Sequence, residues 1–449
     1  MTTTTTTTAP VIATVTAAAA AGGARPGGAA DAVAGVVPAV VVAPQTIDEA
    51  VALIAAGARD GQRLVFMGGG TEIGLGAPPQ GLDVVMRTSA LDRVVEHAPL
   101  DQIVTVECGV RLAALQQALA AHGQMLALDP PWAERATVGG IVASNAFGAR
   151  RTRYGSVRDL IIGISFVRAD GTLARAGGKV VKNVAGFDLA KLLTGSLGTL
   201  GLIATATFRL HPLPESSATV YFPDGAAADV RRVIAAARAA QLEPDAAAVL
   251  IDHDAAAAGG DGAAAGNRRG DGWQLGVRFA GFARAVAQQR DRLVEVGRAL
   301  GLDVRPLDDD AAAEIWERHR VAREAPAGFR AKLAMLPADP DAAQVIARLR
   351  APLRSARTVF YPTLGLGFVT GDVGDAAPDI AAAVHEARGR LAASGGTVVV
   401  HEAPAPVRAR LDVWGVPGDR HSPLPLMRSV KARLDPQRRL APGRLVGGI

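Results

Sequence analysis

The sequence predicts an α+β protein of two domains, an N-terminal one rich in glycine loops and a smaller C-terminal one of alternating strands and helices. Three observations carry this. A chain of 449 residues exceeds what one core usually organises. Short β-branched runs alternate with amphipathic stretches through both halves. Glycine clusters recur at three places before Pro212 and Pro214, and the texture changes after them. Nearly half of the chain is apolar while aromatics are only 4%, so the cores are expected to consist of Ala, Val and Leu.

Residues 1–36 open with a threonine run and continue as an Ala/Gly/Pro tract with little to pack, and are predicted to be a disordered tail. No positive charge precedes Arg25, so the basic start of a secretory signal is missing. "AVVVAP" is a short strand ended by Pro44. "TIDEAVALIAAGARD" follows as a helix with Thr46 as N-cap and Glu49 three residues on. "RLVFMGGG" supplies the next strand, so the unit is βαβ with a glycine loop at a strand's C-terminal end, the usual place for ligands in open α/β sheets. "LDVVMRTSALDRVVEHAP" and "DQIVTVECGV" read as strands, and "RLAALQQALAAHGQML" as an amphipathic helix stopped by Gly123. Strands at "LIIGISFVRADG" and "LGLIATATFRLHP" close a first domain over residues 37–214. In residues 215–403, helices at "ADVRRVIAAARAAQ", "ARAVAQQRDRLVEVGRALG", "DDAAAEIWERHRVAREA", "DPDAAQVIARLRA" and "DIAAAVHEARGRLAAS" intersperse with strands at "AAVLID", "WQLGVRFAG", "FRAKLAMLP", "RTVFYPTLGLGFVTG" and "GTVVVHEAP". "DAAAAGGDGAAAGNRRGDG" is a low-complexity loop. Residues 404–449 end in a helix and a Pro/Gly-punctuated extended segment.

Lys+Arg 48 against Asp+Glu 43 is a modest excess spread along the chain. Its short basic runs lack the interleaved aromatics of a base-stacking surface, so nucleic acid is not expected as a partner. One cysteine, Cys108, excludes an intrachain disulfide and a cysteine-held cluster. It lies in an apolar strand pattern, where a buried inert thiol is expected, and it fits a reducing compartment. No apolar run is long enough to span a bilayer. A cytoplasmic protein is expected, with any membrane contact peripheral and made through partners.

No GxxxxGK(S/T) occurs, and "GGGTEIGLG" fails the Rossmann spacing because Ile73 occupies the last required glycine. What remains is a run of glycines after a strand, whose N–H groups can converge on an anion as a nest. Alone, the loop reads equally as a phosphate cradle or an ordinary turn. A second cluster, "ATVGGIVASNAFGARRTRYGSVRD", and a third, "GSLGTLGLI", add weight to the cradle, because three such loops in one domain suggest backbone approaching a long ligand.

The ordered set "TIDE", "GGGT", "ATVGG", "GGKVVKNVAGFDLAKLLTGSLGTLG" and "LDPQRRLAPGR" resembles the FAD-linked oxidase family, with the vanillyl-alcohol oxidase or PCMH-type flavin fold. The run over residues 177–203 is similar to the FAD-binding subunits of bacterial glycolate oxidases. The resemblance implies a two-subdomain FAD-binding domain over 37–214, a smaller α+β cap or subunit-contact domain over 215–403, and a C-terminal segment returning to the first. It implies that Gly68, Gly69, Gly70 and Thr71 wrap the FAD diphosphate. Thr137, Gly139, Gly140, Ser144, Asn145 and Gly148 would line the diphosphate, ribityl and flavin region. Gly198, Thr199, Gly201 and Ile203 would pack on the adenine or pyrimidine side. Glycine permits close approach, and hydroxyls and amides donate hydrogen bonds without adding charge.

Where relatives attach flavin covalently through a histidine or cysteine, this sequence has Thr71 or Glu72 and no cysteine, so non-covalent FAD is expected. Lys182, Asn183 and Asp188 read equally as flavin-proximal or structural. The "HxGDGNxH"-like metal site of relatives that oxidise 2-hydroxy acids has no counterpart, and His385 and His401 stand apart in pattern. No metal ligand and no catalytic residue is designated. Ala441 replaces the asparagine usual in "LNPG", which leaves the hydrogen bond made there in question. The resemblance implies a subunit of a multisubunit 2-hydroxy-acid dehydrogenase, most closely glycolate oxidase, with a larger FAD-linked subunit and an iron–sulfur subunit as partners. A structural subunit with redox-silent flavin and a stand-alone FAD oxidase of an alcohol or aldonolactone are the alternatives.

Overall fold

A computed structural model describes residues 23–179, 186–252, 272–337, 339–415 and 422–449. The chain divides into two compact units, Met1–Phe147 with Ser156–Pro212 and Val416–Ile449, and Gly148–Gly155 with Leu213–Gly415.

Among the described residues the first unit holds a four-stranded sheet, a five-stranded sheet and a separate two-stranded pair. Strands β1 (Ala24–Pro26), β2 (Val40–Val42), β3 (Leu64–Met67) and β4 (Val84–Arg87) lie in the order β1-β2-β4-β3, with β2 and β3 each parallel to β4. Helix α1 (Ile47–Arg59) makes the crossover between β2 and β3. Its start follows from the sequence, since the Thr46 hydroxyl accepts from Glu49 N–H at 3.1 Å and Asp48 and Glu49 sit in the first turn, where they complement the helix dipole. Its buried face presents Leu53 and Ile54, each contributing roughly 1.5–3 kcal/mol by leaving water.

The second sheet contains β5 (Val94–Ala98) and β6 (Ile103–Glu107), and is followed in sequence by helix α2 (Leu112–Ala120) and the short strand β7 (Gln124–Met125). Helix α3 (Val138–Ser144) leads to β8 (Ile161–Val167), β9 (Leu173–Gly177), β10 (Leu202–Arg209) and β11 (His211–Pro212), which pairs with β7. The antiparallel order is β5-β6-β10-β8-β9. In β10 the alternation of "ATATF" separates two faces. Ala204, Ala206 and Phe208 are buried, while the hydroxyls of Thr205 and Thr207 bond those of Ser165 and Thr105 at 2.6 and 2.9 Å.

Two features differ from the sequence reading, and a third concerns the C-terminal segment expected to return to the first domain. Ordered structure starts upstream of residue 37. β1 pairs with β2, Val33 is fully buried, and the buried Asp31 carboxylate takes ion pairs from Arg25 and Arg87, which hold it well below the usual carboxylate range. An ion pair spanning 56 residues leaves no trace in composition, which is why the segment read as a tail. The second glycine cluster is largely helical, made of α3, with Thr137 as N-cap and Asn145 as a left-handed C-cap, and the short helices Arg151–Tyr154 and Val157–Leu160. Finally, the tail after the Leu424–Leu434 helix runs beside β3, where Leu64 N–H donates to Arg439 O at 2.8 Å and Ala441 N–H to Leu64 O at 2.7 Å. Ala441 thereby joins Val41, Val65, Met67 and Val85 in one core cluster.

The second unit is an eight-stranded antiparallel sheet of β12 (Ser216–Phe222), β13 (Ala246–Asp252), β14 (Gln274–Gly281), β15 (Arg305–Leu307), β16 (Phe329–Ala334), β17 (Arg354–Tyr361), β18 (Leu366–Asp372) and β19 (Thr397–Glu402), ordered β15-β12-β14-β13-β17-β18-β16-β19. Helices Ala227–Ala239, Ala283–Ala299, Asp309–Glu324, Ala342–Arg350 and Ala377–Leu391 accompany it. "RTVFYPTLGLGFVTG" resolves into the hairpin β17–β18. Among the described residues no helix is long and apolar enough to cross a membrane.

Candidate cofactor-binding site

In the first unit, the loop after β3, the start of α3 and the segment before β10 surround a cleft of about 760 Å³, part of it open to solvent. The cleft brings together Gly68, Gly69, Gly70, Thr71, Thr137, Gly139, Gly140, Ser144, Gly198, Gly201 and Ile203. These come from three stretches that are far apart in sequence.

Close approach explains why two of these positions are glycine. A Cβ on Gly68 would stand 2.1 Å from the Thr137 hydroxyl oxygen, and one on Gly69 would stand 1.8 Å from Arg135 O. The first loop thus packs its backbone directly against the lead-in to α3. Among the described residues the N–H groups of Gly69, Gly70 and Thr71, all half-buried at the cleft, donate to no backbone carbonyl, which leaves them as donors for a ligand or for solvent.

Three expected residues are placed elsewhere. Asn145 caps α3, and its Oδ1 is buried with no hydrogen-bond partner among the described residues. Thr199 is fully buried, with its hydroxyl donating to Ser196 O at 2.7 Å and its carbonyl accepting from the Lys431 ammonium at 2.7 Å. It supports the third loop from beneath and does not line the cleft. Gly148 belongs to the second unit. The role of Ser144 also changes, because its hydroxyl donates to Gly140 O within α3 at 2.7 Å. Thr137 uses its oxygen as acceptor for Gly140 N–H at 3.4 Å.

Lys182 and Asn183 lie outside the described residues. Asp188 caps the Leu189–Leu193 helix by accepting from Lys191 N–H at 3.2 Å, a structural task. His401 packs edge-on against Phe368 in the second unit, and His385 is exposed on the Ala377–Leu391 helix.

Two lining residues with reactive or charged side chains, Cys108 and Arg444, stand outside the expected set. Cys108 lines the cleft from the end of β6, and burial pushes its thiol up to about 12, so it stays protonated and inert. Arg444 reaches the cleft from the C-terminal tail and among the described residues is the one cationic side chain lining it, Glu72 being the one carboxylate. Its only sequence signal was the arginine that ends "LAPGR".

Residues 38–177 match the FAD binding domain family. The first unit carries an FAD-binding domain. Relatives include the glycolate oxidase subunit GlcE of Escherichia coli strain K12, 37% identical over 155 residues that cover 34% of this chain and 44% of the relative. They also include the D-lactate dehydrogenase of Archaeoglobus fulgidus, 37% identical over 174 residues, with 38% and 39% coverage, and the glycolate oxidase subunit GlcD of Bacillus subtilis strain 168, 33% identical over 203 residues, with 44% and 43%. The match thus spans less than half the length of each of these relatives. Among solved structures, 4-ethylphenol oxidase from Gulosibacter chungangensis superposes with a TM-score of 0.70 at 17% identity, covering 91% of this chain and 89% of that one. p-Cresol methylhydroxylase gives 0.68 at 16%, covering 91% and 88%. These two share the fold.

The cleft of the FAD-binding domain fits its cofactor on its own chemistry. FAD carries a diphosphate dianion, and the first loop offers N–H donors without an internal acceptor, no intruding side chain, and Arg444 nearby. The apolar side chains of Val65, Phe66, Leu197 and Ile203 supply surface for flat rings.

Proposed function

We propose that this chain is the FAD-carrying subunit of an oxidoreductase that oxidises the CH–OH group of a small 2-hydroxy acid, glycolate foremost. The observation that carries the reading is the cleft in which the first glycine loop, α3 and the 198–203 segment converge within the FAD-binding domain. Bound FAD supplies a two-electron acceptor for hydride removal. The chain's own residues hold it: Gly69, Gly70 and Thr71 by N–H donation to the diphosphate, Gly139 and Gly140 by admitting its backbone-close passage, and Ile203 by packing on a ring.

Attachment is non-covalent. Among the described residues the lining contains no histidine, and its one thiol is held protonated by burial. Electrons leave through an iron–sulfur partner, because a single buried cysteine cannot supply a thiolate-held cluster. A larger FAD-linked subunit completes the assembly, with residues 215–403 serving the substrate or the subunit contact. The relatives named as glycolate oxidase subunits and D-lactate dehydrogenase support this substrate class. The assembly is cytoplasmic and reaches the membrane only through partners.

The test is to express the chain alone and with its partner subunits, precipitate it with acid, assay the supernatant for FAD, and add glycolate anaerobically. Yellow protein releasing FAD and bleaching only in the assembly is the expected result. Bleaching by glycolate without partners would sink the subunit assignment, and a colourless protein would sink FAD binding by this cleft.

A further inference from the structure

We infer that Arg444 is the positioning residue of the first glycine loop and the basis of its selectivity for a diphosphate; the inference rests on the assignment of the cleft to FAD. Arg444 is 2% exposed although it lies only five positions before Ile449. Its Nη2 donates to Ile73 O at 2.8 Å and also to Leu75 O, so one guanidinium holds two carbonyls of the same loop. Its own carbonyl accepts from Ala77 N–H at 3.0 Å. Gly76, at φ +100°, passes so close that a Cβ there would stand 2.6 Å from Arg444 O.

The tail that presents Arg444 is itself anchored to β3 through Ala441 N–H and Leu64 O. β3 leads into Gly68. Both ends of the loop over residues 68–76 are therefore fastened to one frame, the leading end by β3 and the trailing end by a residue about 370 positions away in sequence. The Ile73 and Leu75 carbonyls turn toward the guanidinium, the N–H groups of the same two residues close onto Gly70 O and Glu72 O at 3.3 and 3.0 Å, and the loop so fixed holds the N–H groups of Gly69, Gly70 and Thr71, which bond no backbone carbonyl among the described residues, at the cleft. A peptide loop that directs its carbonyls one way and its amides the other is the polarity an anion requires. Arginine suits the position because the planar guanidinium fork fixes the direction of both N–H bonds of Nη2, one toward each carbonyl, whereas a lysine ammonium is compact and rotates freely.

Arg439 provides the comparison within the same tail. It is also buried, and its guanidinium donates to Gln62 O at 2.8 Å and to Ala169 O, neither of which lines the cleft. The experiment titrates full-length apoprotein with FAD and with ADP, and scales each affinity to the folded fraction read by circular dichroism. R444M is expected to weaken both ligands by roughly tenfold or more. R444K, which keeps the charge and loses the fork, should fall between R444M and the parent. R439K should lower the melting temperature while binding both ligands within about twofold of the parent, the span allowed to a site with no direct contact.

Parent-like binding by folded R444M overturns the inference, as does an equal loss in R439K. If R444M does not fold, R444K decides by the same comparison. A parent protein that binds neither FAD nor ADP refutes instead the assignment of the cleft.

Discussion

Replacing Gly69 with alanine puts a methyl carbon where the carbonyl oxygen of Arg135 already stands. The added Cβ would lie 1.8 Å from that oxygen and 2.7 Å from its carbon, and relieving the overlap takes a displacement of roughly 1 Å. The obstacle is backbone, and that backbone is fastened. Arg135 N–H and Ala136 N–H both donate to Trp132 O, at 2.8 and 2.7 Å, and Leu112 N–H donates to Ala136 O at 2.9 Å. Either these bonds lengthen or the glycine loop withdraws, and overpacking of this kind costs about 1–3 kcal/mol. Gly69 and Thr137 both line the cleft, so the displacement falls on the cofactor contacts, and FAD affinity should drop by roughly 10- to 100-fold. The assay is a flavin fluorescence titration of the apoprotein together with its thermal unfolding. Gly70 is the internal comparison, because at φ +70° its Cβ would meet only Met67 Sδ at 3.9 Å, leaving about 1–2 kcal/mol of backbone strain without a clash. A Gly69→Ala protein with parental melting temperature and parental FAD affinity would refute the packing of the two loops described above.

Three further outcomes are expected. Cys108 should resist thiol reagents at pH 8 in the native protein and react fully on unfolding. Its folded value near 12 lies above its ordinary 9.0, so the stability linked to it is present below pH 9 and is lost as pH rises through 12, and C108A should flatten that decline. His319 in the second unit bonds the Tyr361 hydroxyl at 3.1 Å, and burial, with Arg323 and Arg278 nearby, pushes it down to about 3 from 6.5. The unfolded chain binds the extra proton between these values, so stability falls as pH drops from 6.5 to 3, and chemical denaturation of H319Q should show a shallower acid limb. Gly389, exposed in the Ala377–Leu391 helix with nothing within 4 Å of an added Cβ, should accept alanine with a gain of about 0.5–1 kcal/mol, read as a higher melting temperature.

Much of the architecture was legible because it is written locally. Thr46 and Glu49 mark the start of α1, Gly123 follows α2, and the period-two pattern of "LIATATFR" marks β10. The strands that escaped notice, such as β9 with "LARAG" and the three-residue β1 and β15, carry too few alternating side chains to show a period. Helix α3 escaped because Gly139 and Gly140, poor helix formers, occupy its first turn. Contact with Cys108, whose Cβ would lie 2.6 Å from one on Gly139, explains the first of these glycines.

The candidate site divides in the same way. The glycine loops and their order belong to the sequence, since glycine has few reasons to cluster after strands, and the family resemblance attached FAD to them. Which members face the cleft was decided only by folding. Thr199 does not line it and spends its hydroxyl on Ser196 O, Ser144 lines it but spends its hydroxyl on Gly140 O, and Cys108 and Arg444, left without a ligand role by their sequence neighbours, line it too. The sequence by itself determined most of the elements and the order of the glycine loops, because caps, turns and strand periods act between residues a few positions apart, while the class of cofactor came from the family resemblance. The tertiary structure alone decided that Asp31 binds Arg87, that Lys431 supports Thr199 and that Arg444 holds Ile73, because such contacts join residues 56, 232 and 371 positions apart and impose no local pattern on the chain.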